Sequence, residues 1–483
     1  MIKKLFATAM ILFLCSCSLV TKKQSDPLLE KYRTTHREAY MYQAPPPNSE
    51  SFLAGASKIE ITPPSSLGTA YLAGYNPNKP AHGVHDPLWA RCTALTDPKG
   101  ARVVFVSLNL IGYSHDDIEG VRKEIATFSD ATVMIASTHT HSGPDTLGIW
   151  GPGIWRIPLM SGRNEDYMRF LKHQIVACVG DALEDQRSAH LYVSQKEIPA
   201  LNRNFRESDV VDRTVTVLYA RERFTDETIF FLLNFGAHPE IMRSDLLSAD
   251  FVGAWYEAEE KDFGGMAMFF NGALGALVAP ESPNIYTTHE LPDMGDAPQY
   301  RHKNFGVHIK DAWGNARWFA ERLERRVART VEFEEIEPTN IIAEYKTIYV
   351  SLTNPSFIWA WRLGLLKRPD YQGGLLTTEV GVVRIGPLAV AFLPGETPPK
   401  LSFRARKILE QAGHYTMVVS LANDELGYLL DEEQFASGLY AYEQTMCVNP
   451  RIADVLAIDL WLMVFNQNIH ALQESLDRTF PAP

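Results

Sequence analysis

This sequence predicts an α/β fold: one large domain with mixed β-sheets flanked by helices and a site at strand ends. Beyond residue 50, apolar runs of strand length alternate with segments of helical period, and no clean linker or internal repeat divides them. The chain has 483 residues, enough for about two to four domains on length alone, so the unbroken alternation decides for one. Several of the apolar runs end in Gly- or Pro-containing segments that carry His, Glu or Tyr. Strand ends are where α/β proteins place their sites.

The N-terminus reads as an export signal. Lys3 and Lys4 form its charged part and Leu5 to Leu14 its apolar part, which is too short to remain as a membrane span. Leu14-Cys15-Ser16-Cys17 resembles the bacterial lipobox. That makes residues 1–16 a lipoprotein signal peptide and Cys17 the lipidated first residue, and a plain secretory signal is the other reading. Residues 17–50 are polar, end in Pro45-Pro46-Pro47, and read as a tether. The folded body is expected over 51–483. The expected location is the cell envelope, as a membrane-anchored lipoprotein, with Ser18 favouring the outer membrane.

Composition narrows the partners. With 46% hydrophobic and 22% charged residues and a net charge of -12, the chain is an ordinary globular protein whose acidity argues against nucleic acid. Past Cys17 only Cys92, Cys178 and Cys447 remain, an odd and widely spaced set that does not form a disulfide framework. Cys92 and Cys178 lie in apolar surroundings and read as core. Without a Cys-x-x-Cys, a metal site must be built from histidine and oxygen ligands. Nothing in the sequence fixes an oligomeric state.

Taken in order, the elements are these. Ala56 to Thr62 alternates and is closed by Pro63-Pro64; Arg102–Leu108 and Ala131–Ala136 are further strands, and Asp116–Phe128 and Asp166–Leu183 fit helices. Thr214–Tyr219 and Thr228–Leu233 read as paired strands with Asp226 in the turn. Met266–Phe270, Glu379–Ile385, Leu388–Phe392 and Tyr415–Leu421 follow as strands. Trp313–Glu332, Lys400–Ala412 and Ile452–Asp477 follow as helices, the last behind an Asn449-Pro450 cap.

The strand at Ala131–Ala136 leads into Thr138-His139-Thr140-His141-Ser142-Gly143-Pro144. If extended geometry continues, His139 and His141 point to one side. Two neutral imidazoles facing one way begin a zinc site, although so short a pair matches no standard zinc pattern and also suits loop hydrogen bonding. Three other segments occupy equivalent places: Gly236-Ala237-His238-Pro239, Pro394-Gly395-Glu396, and Asn423 to Tyr428. Singly, His238 suits a turn, Glu396 a helix start and Tyr428 a core contact.

These segments together resemble the neutral/alkaline (non-lysosomal) ceramidase family, zinc amidases that cleave the N-acyl bond of ceramide. The matching stretches are Ile59 to Pro64, Leu72 to Tyr75, Thr138 to Pro144, Asn234 to Pro239, Pro394 to Glu396 and Tyr428 to Glu443. The resemblance implies Zn2+ held by His139, His238, Glu396 and Tyr428. It implies His141, Arg203 and Tyr442 as catalytic groups, Arg203 stabilising the oxyanion and His141 or Tyr442 moving the proton. It implies a lipid-like substrate and a chain confined to the catalytic domain. There are departures. The family's serine has no counterpart, and Ala279 stands in its place; Asn109 stands where an acidic residue often occurs. The expected mechanism is therefore direct hydrolysis by zinc-activated water, without an acyl-enzyme.

Phe357 to Leu366 is dense in large apolar groups and reads either as a buried helix or as a lid or wall against an acyl chain. Two other functions stay open. One is a zinc hydrolase of another amide or ester, such as an N-acyl amino acid or an envelope lipid. The other is a non-catalytic lipid-binding lipoprotein.

Overall fold

The computed structural model describes residues 50–154, 157–199, 201–278, 301–302, 306–307, 312–366, 368–369 and 371–479. The signal segment, Cys17, almost all of the tether and Ala279 lie outside them. In chain order the main elements are β1 (Phe52–Glu60), β2 (Trp89–Thr96), β3 (Arg102–Leu108), α1 (His115–Ile125), β4 (Thr132–Ser137), α2 (Glu165–Glu184), β5 (Arg187–Glu197), β6 (Thr214–Glu222), β7 (Thr228–Phe235), α3 (Phe251–Phe263) and β8 (Met266–Asn271). They continue with α4 (Ala312–Thr330), β9 (Glu334–Ile336), β10 (Ile341–Ser351), α5 (Pro355–Arg362), β11 (Leu375–Ile385), β12 (Leu388–Phe392), α6 (Pro399–Leu409), β13 (Tyr415–Val419) and α7 (Ile452–Thr479).

A nine-stranded sheet runs in the order β8-β7-β6-β5-β1-β2-β3-β4, with β9 added alongside β5. Pairs β7/β8 and β3/β4 are parallel and the rest antiparallel, so the sheet is mixed. A second sheet, β10-β11-β12-β13, packs on it. Sequence period explains the layers. In β7, Phe230 and Leu232 face the second sheet, meeting a core that includes Val390, Phe392 and Met417. The alternate residues Phe231, Leu233 and Phe235 face α3 and α4, meeting Trp255 and Phe319. A strand covered on both sides needs apolar residues at every position, which is why these strands read as unbroken apolar runs. The outer face of the second sheet is covered by α6 and α7. The result is helices, sheet, sheet, helices, a mixed α/β domain.

The large sheet curls until its two ends meet. Ser107 Oγ donates to Phe269 O at 2.6 Å, and Asn271 Nδ2 donates to Thr138 O at 3.0 Å, although β4 and β8 are opposite edges of the strand order. That closure, together with the second sheet laid over it, brings four strand ends to one place. Cys92, Cys178 and Cys447 are buried and free. The paired strands around Asp226 are present, Asp226 taking the left-handed conformation of the turn (φ 62°). The Phe357–Leu366 segment departs from the buried-helix reading: no residue of α5 is buried.

Candidate metal centre

β4 delivers the first histidines. Extended geometry does not continue through them, contrary to the sequence expectation: His139 sits at φ 71°, where a non-glycine residue is strained. Its backbone N–H bonds Leu110 O at 2.9 Å, and its ring Nδ1 lies 2.6 Å from Ile111 O. The carbonyl fixes the proton on Nδ1, which turns the Nε2 lone pair toward the site. Both rings still meet there, with centroids 5.0 Å apart.

β7 delivers His238 from the other end of the curled sheet. Asn271 joins the two segments, donating from Nδ2 to Thr138 O and to Ala237 O at 2.9 Å, and His141 N bonds Pro239 O at 3.0 Å. The second sheet supplies the rest. β12 leads to Glu396 and β13 to Tyr428. Glu396 N donates to Gly427 O at 2.9 Å and Leu429 N to Glu396 O at 3.1 Å, which sets the two residues side by side. Gly427 has φ 75°, and a Cβ there would lie 1.9 Å from Met446 O, so only glycine allows this turn.

The side chains converge. His238 Nε2 is 3.0 Å from Glu396 Oε2, and His139 Nε2 is 3.6 Å from Glu396 Oε1. The ligand nitrogens of His139, His141 and His238 all lie within 4.8 Å of one another. Tyr428 hydrogen-bonds the Glu396 carboxylate. All five residues are buried. Burial lowers the pKa of His139 to about 4 and that of His141 well below the ordinary histidine value, so both rings are neutral and able to accept. Burial pushes Glu396 up, but His139, His238 and the Tyr428 hydroxyl outweigh it and hold the carboxyl below its usual range. Burial and the Glu396 charge push Tyr428 well up.

Neutral imidazoles, one carboxylate and one phenol form a nitrogen–oxygen donor set that fits zinc, and among the described residues no cysteine belongs to the cluster. A second cluster, His115, Glu119 and Glu379, is already internally compensated. Arg122 binds Glu379 through both oxygens at 2.8 and 2.7 Å and Glu119 at 3.0 Å. It reads as an ion-pair network.

Residues 52–286 match the family model "neutral/alkaline non-lysosomal ceramidase, N-terminal". That match covers a little under half of the chain, so over those residues the chain is similar to the N-terminal part of that family. A ceramidase complexed with C2 shares the fold at TM-score 0.68 and 18% identity, over 87% of this chain and 76% of that one. Neutral ceramidase from Pseudomonas aeruginosa does so at TM-score 0.64 and 18% identity, over 85% and 75%. No curated protein matches the chain.

In this chain the site stands between two cavities. One is walled mainly by apolar groups including Ile111, Leu147, Trp150, Phe357, Trp361 and Leu366. The other is a more polar cleft that reaches Lys79, Arg206, Glu240 and Arg243. Gly74, His141, Tyr428 and Tyr442 line both. Tyr442 thus joins the site, its ring 6.1 Å from that of Tyr428. Arg203 is not among the residues lining either cavity; it is exposed, with its guanidinium 5.2 Å from the Phe205 ring. The arginines lining the polar cleft are Arg206, bound to Glu443 at 2.7 Å, and Arg243.

Sequence reasoning missed Tyr75 and Glu240. Tyr75 packs edge-on to His141 at 5.0 Å and donates to Glu240 O at 2.8 Å, and the Glu240 carboxylate lies 3.8 Å from His141 Nδ1. Both had a signal: Tyr75 closes the Leu72–Tyr75 match, and Glu240 follows His238-Pro239 directly. Ser142 is a structural hydroxyl. It is fully buried and donates from Oγ to Met242 O at 2.7 Å.

Proposed function

We propose that this chain is a zinc-dependent hydrolase that cleaves the N-acyl amide bond of a lipid-like substrate. The observation that carries this is the convergence of His139, His238, Glu396 and Tyr428 at the junction of an apolar pocket and a polar cleft. An amphipathic amide fits that junction, with its acyl chain among Phe357, Trp361 and Leu366 and its polar head in the cleft. His139, His238, Glu396 and Tyr428 would hold the zinc, which when bound supplies Lewis-acid polarisation and water of lowered pKa.

The protein's own residues do the rest. His141 is neutral, and neither of its ring nitrogens makes a hydrogen bond, so it is able to take a proton from water and hand it to the leaving nitrogen. Tyr442 lines both cavities and is placed to position the substrate amide. The apolar wall excludes water from the reacting group. Ser142 is committed to Met242 O, which supports direct hydrolysis rather than an acyl-serine.

The test is a panel of long-chain N-acyl amides, ceramide among them, beside N-acyl amino acids and matched esters, with and without a zinc chelator. Hydrolysis of the long-chain amides, lost on chelation and restored by zinc, is expected. Cleavage of esters alone would move the assignment to an esterase, and turnover indifferent to chelation would remove the metal from it. The same reading includes an envelope lipoprotein anchored through Cys17. Cys17→Ala is expected to shift the protein from the membrane to the soluble exported fraction, and unchanged fractionation would refute the anchor.

A further inference from the structure

We propose that the apolar pocket takes an acyl chain carrying a hydroxyl within one or two carbons of the scissile carbonyl, and that Glu425 holds that hydroxyl. This rests on reading the pocket as the acyl site. Apart from the metal centre, the charged side chains lining it among the described residues are Arg163, Arg368 and Glu425. The two arginines are engaged. Arg163 donates to both oxygens of Asp117, at 2.6 and 2.7 Å, and pairs with Glu165 at 3.1 Å. Arg368 donates to both oxygens of Asp424, each at 2.8 Å. The Thr146 and Ser114 hydroxyls in the wall are used as well, on Gly112 O and on Asp117.

Glu425 is different. Its Oε1 accepts from Gly427 N at 2.9 Å, while Oε2 is buried and has no hydrogen-bond partner among the described residues. A buried carboxyl oxygen left unpaired is costly and rare in folded proteins. Ile111, Leu352, Leu376 and Leu426 make the rest of the wall apolar, so the group that pairs with it has to be small, polar and uncharged. A hydroxyl on the chain meets those terms, whether the carboxyl accepts or donates. The surroundings also set where on the chain it lies. Gly427 alone bridges Glu425 to Glu396, taking Glu425 Oε1 on its N–H and Glu396 N on its carbonyl, both at 2.9 Å. On the other side a Cβ at Gly112 would lie 2.6 Å from Glu425 Cγ, and the neighbouring Ile111 O binds His139 Nδ1. Glu425 therefore stands between the turn that seats Glu396 and the loop that orients His139. A chain whose carbonyl is at the metal centre passes it within its first carbons.

The experiment gives the zinc-loaded full chain four amides of one amine: dodecanoyl, α-hydroxydodecanoyl, β-hydroxydodecanoyl and ω-hydroxydodecanoyl. The α- or the β-hydroxy amide is expected to exceed the plain one in kcat/KM by about 10- to 100-fold, and the ω-hydroxy amide to gain nothing. Glu425→Leu should bring that ratio near one. Glu425→Gln should keep most of it, because the amide can still take Gly427 N and meet a hydroxyl. The ratio is read within one preparation, so a loss of folded protein cancels, and Glu425→Met carries the test where Glu425→Leu does not fold. A ratio near one in the parent overturns the assignment and leaves the hydrolase reading standing. A preference that survives Glu425→Leu does the same, since the metal rather than Glu425 would then hold the hydroxyl. Turnover of none of the amides removes the hydrolase reading instead, and binding then decides. Trp150 and Trp361 line the pocket and report it by their emission. Tighter binding of β-hydroxydodecanoic than of dodecanoic acid, lost in Glu425→Leu, supports the assignment, and equal binding overturns it.

Discussion

Glu396→Gln is expected to abolish metal retention and hydrolysis together, lowering activity by at least about 10³-fold, or ~4 kcal/mol of barrier. Glu396 is the anion that His139, His238 and Tyr428 all face, at 3.6 Å and 3.0 Å from the two imidazole nitrogens. The amide keeps the shape and loses the charge. The metal-free fold should survive, because Glu396 holds its place through backbone bonds to Gly427 and Leu429 that the substitution does not touch. Burial also keeps His139 neutral to about pH 4, so no orphaned positive charge remains there. Metal analysis, turnover and thermal melting of the metal-free form separate the outcomes. A variant that keeps full metal and activity would take Glu396 out of the site.

Gly74→Ala should cost activity on the order of 10² to 10³-fold while leaving metal content unchanged. Gly74 has φ 93°, and a Cβ there would lie 2.4 Å from His141 Cγ. The methyl adds roughly 1–2 kcal/mol of backbone strain and pushes the His141 ring out of line. His141→Ala should show a similar loss, and the double variant should be little worse than either alone, since both act through one ring. Loss of metal in His141→Ala would make His141 a ligand. Additive losses would mean that Gly74 acts elsewhere.

The strands behind the site were legible because they are buried on both faces. Leu388–Phe392 matches its element end to end, and Arg102–Leu108 does likewise. β2 was not legible: Trp89-Ala-Arg-Cys-Thr-Ala-Leu-Thr is broken by Arg91, whose charge meets Glu260 from α3 in the folded protein. β10 was hidden by Glu344 and Lys346 on its exposed face. α3 itself went unread, because its apolar Phe251, Val252, Trp255 and Tyr256 are confined to its first half and Glu257, Glu259 and Glu260 follow them. The four ligand candidates were legible because each follows an apolar run. The polar side of the site was not, because Arg206, Glu240 and Arg243 lie on loops whose meeting depends on the curl of the sheet. No pattern along the chain encodes that curl.

Whether one zinc ion lies between His139, His238, Glu396 and Tyr428 can be read from diffraction by crystals of the full chain, recorded across the zinc absorption edge. One strong anomalous peak is expected at about 2.0–2.2 Å from His139 Nε2, His238 Nε2, a Glu396 oxygen and the Tyr428 hydroxyl oxygen, a catalytic four-ligand site. A peak ligated by His141 in place of Tyr428, a peak among His115, Glu119 and Glu379, or no peak from zinc-loaded protein would contradict it.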